Sequence, residues 1–296
     1  MANQKMQFLK FTIFIFSITF LVYVMSHSYS NIKSSIIFQR KQIFVETALL
    51  SFVYAFSLFW VAFGWKRILE VLSHIEIPSY FIWIWLKSNV YKYLPGNVFN
   101  YVSRQIIARK VGVSHKILMQ SNLIETLLLG IVSLLLSGII LMMFYGFLVN
   151  KYFQFLNIYY VGFELLVAFV VLLYLSKYKN INITRYWSIM AFYFLFFLGI
   201  GVIAWYILNF QMGLKFSFLL ITAIYSFAWL VGFVTPGAPG GLGVRESVFV
   251  VLSNGVLGEA DAVVLSLMLR FVSILGEILL YFIAQYMLRN FEELKK

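Results

Sequence analysis

Apolar runs as long as a membrane is thick recur along the whole chain. Residues 9–25, 43–63, 119–147, 157–176, 187–209 and 261–288 each read as a helix that is apolar on every face. About 20 such residues cross ~30 Å of hydrocarbon. Only helices or closed barrels satisfy their backbone in lipid, and runs of this length predict helices. The composition agrees: 62% of residues are hydrophobic and 11% charged, where a soluble domain carries roughly 25% charge. A soluble enzyme, a nucleic-acid-binding domain and a disordered scaffold are thereby excluded. Lys5 and Lys10 precede the apolar run Phe11–Met25, and no alanine pair marks a cleavage site behind it, so an uncleaved first helix is expected.

Two stretches break the pattern. In 79–111 an apolar half runs into Pro95-Gly96, and in 215–254 another runs into Pro236-Gly237-Ala238-Pro239-Gly240-Gly241. Three of the four prolines sit in these breaks. Proline and glycine there free backbone N–H and C=O groups, which is tolerated at membrane depth only inside protein or beside a wet cavity. Both stretches read as broken, re-entrant helix pairs.

The two stretches also resemble each other. Arg104 follows Pro95 by nine residues, and Arg245 follows Pro236 by nine. A long final helix follows each break, carrying Glu125 in the first half and Arg270 in the second. The expected fold is therefore an all-α polytopic membrane protein, a single integral domain over 1–296. It has about six spanning helices and two re-entrant pairs, with repeat halves near 43–148 and 187–288. Basic residues orient it. With the N-terminus cytoplasmic, sixteen Lys and Arg fall inside, among them Lys66, Arg67, Lys87 and Lys92, against six outside. Both termini then lie in the cytoplasm of a cell membrane. The breaks enter from opposite sides, as in inverted-repeat transporters whose site lies between them.

An ionisable group within a membrane segment costs ~2.5–3.5 kcal/mol on the mild insertion scale and asks for a reason. Arg104, Arg245, Glu246, Glu125, Arg270 and Glu277 are the candidates. Guanidinium matches phosphate bidentately, so Arg104 and Arg245 are read as binding an anionic head group, helped by the glycines at 237, 240, 241 and 243 and by the helix start near Leu242. The opposing reading pairs these charges internally, with Glu125 and Arg270 a natural pair across the repeat. Arg270 and Glu277, seven apart, are too distant for direct contact and are each expected to have another partner. Catalysis is not indicated. The chain has no cysteine and a single aspartate, Asp261, and His27, His74 and His115 show no metal spacing. No nucleotide, hydrolase or metalloprotease motif occurs. Neither enzyme activity, cofactor, metal nor nucleic acid is expected. Glu125 and Glu246 are candidates to carry a proton, with transport down a gradient the alternative.

The segments Lys92-Tyr93-Leu94-Pro95-Gly96-Asn97-Val98-Phe99-Asn100-Tyr101-Val102-Ser103-Arg104 and Pro236-Gly237-Ala238-Pro239-Gly240-Gly241-Leu242-Gly243-Val244-Arg245-Glu246 resemble the two hallmark segments of the lysylphosphatidylglycerol synthase transmembrane, flippase-like family. Gly64-Trp65-Lys66-Arg67 after the second helix and Glu125 also fit. The resemblance covers about 9–288 and implies translocation of an anionic phospholipid or lipid-linked saccharide through the two breaks. Arg104, Asn97, Arg245, Glu246, Gly240 and Gly241 would contact substrate. Glu125, Arg270, Glu277, Pro95, Pro236 and Pro239 would shape or couple the pathway. The family's soluble aminoacyl-transfer domain has no counterpart in this sequence, so a lysyltransferase reading does not follow. Expected partners are the lipid itself, a second copy of the chain, or envelope-biosynthesis enzymes. The alternatives are a non-transporting subunit that organises such enzymes and, third, an integral-membrane glycosyltransferase, disfavoured by the shortage of acids.

Overall fold

The computed structural model describes residues 42–94, 98–109, 112–143, 183–235, 238–253 and 255–293. The expected spans 9–25 and 157–176 lie outside the described residues, as do Pro95, Gly96, Asn97, Pro236 and Gly237.

Among the described residues every regular element is helical. In chain order these are α1 (Ile43–Ser73), α2 (Tyr80–Asn89) with a 3₁₀ turn (Val90–Tyr93), α3 (Phe99–Arg109) and α4 (His115–Met143). There follow α5 (Ile183–Tyr206) with a π turn (Ile207–Gln211), α6 (Phe218–Val234), a 3₁₀ turn (Pro239–Gly241), α7 (Val244–Ser253) and α8 (Glu259–Glu293). Four helices are long and apolar enough to cross a membrane: those within Ile43–Ser73, His115–Gly138, Tyr186–Gln211 and Glu259–Asn290. Their outward faces carry Phe44, Leu49, Phe52 and Phe56 on α1 and Phe271, Phe282 and Tyr286 on α8.

The first long helix runs further than its apolar stretch. It passes through Gly64-Trp65-Lys66-Arg67, expected to follow the helix, and ends at His74. His74 adopts the left-handed conformation (φ 59°) and its N–H bonds to the Glu70 carbonyl, a helix-terminating αL cap. The extension survives its charges because Glu70 accepts from Lys66 at 2.5 Å and from Arg67 at 3.0 Å, one turn away.

The hairpin helices are short. α2 and α7 have 10 residues and α3 has 11. At 1.5 Å per residue each reaches roughly 15–17 Å, about half the hydrocarbon thickness. The 17 residues of α6 reach about 25 Å. Both breaks begin as proline chemistry requires: Leu94 (ψ 147°) and Thr235 (ψ 117°) are extended, because the following ring excludes the helical region.

The packing brings the breaks together. α1 lies on α5 and α8, α4 lies on α6, and α2 lies on α8. Small residues permit the close approaches. A Cβ on Gly276 of α8 would stand 2.7 Å from the Ser51 carbonyl oxygen of α1. One on Gly64 would overlap the buried Tyr193 ring of α5. Contacts of this kind hold membrane helices together, since apolar surface by itself gains nothing over lipid.

Candidate functional site

The first break delivers Arg104. Carried by the polar-sprinkled α3, it is 1% exposed, so every donor must find a partner. Its Nε donates to Ser88 Oγ at 3.3 Å and its Nη1 to Asn122 Oδ1 at 3.2 Å. Nη1 also pairs with the Glu125 carboxylate, whose other oxygen accepts from Trp85 Nε1. The guanidinium lies 4.9 Å from the Trp65 ring, 5.2 Å from that of Trp85 and 5.5 Å from that of Tyr101. Trp65 in turn donates to Ser121 Oγ at 3.1 Å. The expected pair across the repeat, Glu125 with Arg270, does not form. Glu125 is held instead by Arg104 of α3 and Trp85 of α2, while Arg270 is taken by Glu246 and the Gly240 carbonyl.

In the second break Gly240, Gly241 and Gly243 all have positive φ (58°, 73° and 80°), which side-chain-bearing residues resist. The room they leave is used by protein. A Cβ on Gly241 would meet the Gly232 backbone at 3.1 Å, and one on Gly240 the Tyr93 ring at 2.9 Å. Three backbone donors that a phosphate would need are already given away: Gly241 to the Ala238 carbonyl, Leu242 to that of Pro239, and Gly243 to Glu246 Oε2 at 2.7 Å. That last bond is half of a capping box, with Gly243 at the N-cap and Glu246 three residues on. Pro239 opens the 3₁₀ turn and is buried.

Arg270 pairs inside this half as well. Its Nε stands 3.5 Å from Glu246 Oε1, and both Nη atoms donate to the Gly240 carbonyl at 3.1 Å. The charges are exchanged between halves. In the first the hairpin brings arginine and the long helix glutamate; in the second the hairpin brings glutamate and the long helix arginine.

Glu277 joins the halves. It accepts from Lys92 Nζ at 2.6 Å and from Tyr54 OH at 2.8 Å. Arg270 and Glu277 thus each have a partner other than one another. Lys92 is a correction: counted among solvated cytoplasmic charges, it is instead part-buried and bonded to Glu277 of α8. Tyr54, Trp85 and Asn122 also went unread in the sequence. A charge count treats any lysine near a break as solvated, and a tyrosine or tryptophan in an apolar run looks like bulk. The usable signal was position, since Lys92 stands three residues before Pro95.

Arg104 and Arg245 line one buried cavity of about 60 Å³ with Lys92, Asn89, Asn100 and Glu125. Arg245 is 7% exposed. Its guanidinium faces the Trp229 ring at 5.7 Å, its Nε has no hydrogen-bond partner, and among the described residues it forms no ion pair. Asn89 Nδ2 and Asn100 Oδ1, of residues lining the same cavity, are likewise unpartnered. Among the described residues no group of three or more His, Asp or Glu side chains is placed to hold a metal ion. No protein-family model, curated protein or solved structure matches this chain.

Proposed function

We propose that this protein is a membrane carrier of two inverted halves, moving an anionic phospholipid or lipid-linked saccharide between the leaflets of the cell membrane. The observation that carries the reading is the meeting of Arg104 and Arg245, one from each break, on a single buried cavity. Binding at the junction of two broken helices is how inverted-repeat transporters work. The packing supports the repeat. Exchanging α1–α4 for α5–α8 turns the α4–α6 contact into the α8–α2 contact and leaves α1–α5 unchanged. With the two runs outside the described residues, the proposal has six spans and both termini in the cytoplasm. The resemblance to the stand-alone lysylphosphatidylglycerol synthase transmembrane domain points the same way.

The second reading, a non-transporting subunit that organises envelope enzymes, is favoured by two observations. Arg104 is held by protein at Nε and Nη1, and the cavity is the size of a few waters at ~10–15 Å³ each, not of a lipid. Arg245, which forms no ion pair among the described residues, is what favours the first reading over the second. The test is head-group movement in reconstituted vesicles carrying a labelled anionic lipid. Arg245→Ala is expected to abolish the movement while the protein stays folded. Normal movement in that variant removes the arginine from the pathway, and no movement in the parent protein removes the carrier reading.

A further inference from the structure

The charges around the cavity do not cancel. Lys92, Arg104, Arg245 and Glu125 line it, and Glu277, Arg270 and Glu246 are bonded to that lining through Lys92, Gly240 and Arg270, so four cations meet three carboxylates and one positive charge is left over. The pairs assign that surplus to Arg245. Arg104 has Glu125, Arg270 has Glu246, and Lys92 has Glu277. An uncompensated charge in a low-dielectric interior is costly, and here it comes with an open Nε–H and the free polar atoms of Asn89 and Asn100.

We infer that the cavity is a binding site for one phosphodiester group of a membrane lipid whose head carries no balancing ammonium. Three features select that chemistry. A phosphodiester bears a single negative charge, matching the surplus; a phosphomonoester carries about −1.5 to −2 at neutral pH and a pyrophosphate more, and either would leave negative charge buried. The guanidinium fork offers paired N–H donors to phosphate oxygens, with the Asn89 amide beside it. Glu125, the one carboxylate lining the cavity, also has no free claim to give, and the unpartnered Oε2 of Glu277 belongs to a side chain outside that lining. Glu125 is taken by Arg104 and Trp85, and Glu246 by Arg270 and the Gly243 N–H. A choline, ethanolamine or aminoacyl ammonium would meet the unpaired Arg245 and find no free carboxylate in the cavity lining. The preferred head is therefore of the phosphatidylglycerol or singly phosphate-linked sugar kind, and an aminoacylated lipid is refused. The volume of about 60 Å³ suits the charged group alone, the remainder of the lipid lying outside it.

This rests on the carrier reading only for taking a lipid as the source of the phosphate. The experiment is thermal unfolding of the purified full-length protein in neutral detergent. Added probes are phosphatidylglycerol, phosphatidylcholine, lysyl-phosphatidylglycerol, phosphatidic acid and inorganic phosphate. Phosphatidylglycerol is expected to raise the midpoint most, with apparent affinity about tenfold or more above the others, the equivalent of one good charge-assisted contact. Arg245→Gln is expected to lose that shift while melting no lower than the parent without lipid, and Arg245→Lys to keep part of it. Equal shifts with phosphatidylcholine or the lysyl lipid overturn the charge argument, and an equal shift with inorganic phosphate overturns the lipid assignment. Arg245→Gln that keeps the shift, or that fails to fold, overturns the assignment to Arg245; the ranking of lipids on the parent protein needs no variant. Selective binding with no movement in vesicles defeats the carrier reading alone. Movement that Arg245→Gln leaves intact defeats this inference alone.

Discussion

Replacing Glu125 by glutamine tests how the buried charges are divided. The two side chains of the Arg104–Glu125 pair are each 2% exposed, so solvent screening does not dilute the contact. Glutamine keeps the shape of the glutamate but presents an NH₂ where one carboxylate oxygen stood. That NH₂ must face either the Arg104 guanidinium or the Trp85 indole N–H, a donor against a donor. Arg104 is left charged with only Asn122, Ser88 and three aromatic faces around it. Removing one partner of a buried pair costs about 3–5 kcal/mol. Arg104→Gln should cost a similar amount, stranding the carboxylate. The double variant removes both charges and should recover at least about 2 kcal/mol of the summed single losses, a coupling within the range found for touching residues. The assay is reversible unfolding in mixed micelles, followed by tryptophan fluorescence, with the four proteins in one cycle. Independent, additive losses would refute the pairing. So would Glu125→Gln within about 0.5 kcal/mol of the parent, the level of an ordinary surface change.

Further outcomes follow from the same geometry. At Glu277, Lys92→Gln should cost clearly more than Tyr54→Phe, since it strands a charge and not one neutral hydrogen bond of about 0.5–1.5 kcal/mol; the order of the two melting midpoints checks it. Gly276→Ala should destabilise by roughly 1–3 kcal/mol, because its methyl meets the backbone of α1, which cannot rotate away. By contrast, Glu70→Gln should change unfolding by no more than about 0.5 kcal/mol, its partners lying one turn away on a partly exposed helix end. For the topology, the cysteine-free chain lets single cysteines at Glu76, His115 and Lys215 be labelled from each side of sealed vesicles. Inverted halves with a re-entrant first hairpin put Glu76 and His115 on one side and Lys215 on the other. Labelling of Glu76 and Lys215 from the same side rejects the inversion.

What the sequence disclosed and what it withheld divide along a physical line. Apolar length gave the long helices because lipid demands it of every span, and proline gave the breaks because the residue before it must be extended. The coupling of Arg104 to Arg245 was legible for the same reason: each stands nine residues past a forced break, and so on the first turns of the returning helix. Partner choice was not. Glu125 and Arg270 follow their breaks in matching order in the sequence, but spacing says nothing about which helix face a neighbour presents, and Arg104 and Trp85 occupy Glu125. The glycines at 240 and 241 were legible as a turn, whereas their use for contact with Gly232 and Tyr93 depends on chain segments far apart in sequence. Glu246 could have been placed from Gly243-x-x-Glu246, since that spacing already contains the cap.

The distribution of polar bonds bears on how such a carrier would move. Arg104–Glu125, Trp85–Glu125, Trp65–Ser121, Glu246–Arg270 and Arg270–Gly240 all close within one half. Hydrogen bonds between halves include those of Tyr54 and Lys92 to Glu277, Tyr91 with Tyr281, Gln211 to Glu46, and Ser133 to the Ser226 carbonyl. Otherwise α1–α5, α4–α6, α8–α2 and α8–α1 meet through apolar side chains and small residues. In water that division would lock the halves, since separating them would expose hydrocarbon. In a bilayer lipid replaces the lost contacts at little hydrophobic cost, and the remaining polar links are the ones that resist separation. In a carrier of the proposed kind, Glu277, which holds two of them, would be the point that resists rocking of one half on the other. Its neutralisation by Glu277→Gln should speed lipid movement if opening is the slow step, and should slow it if the closed state is the one that selects the head group.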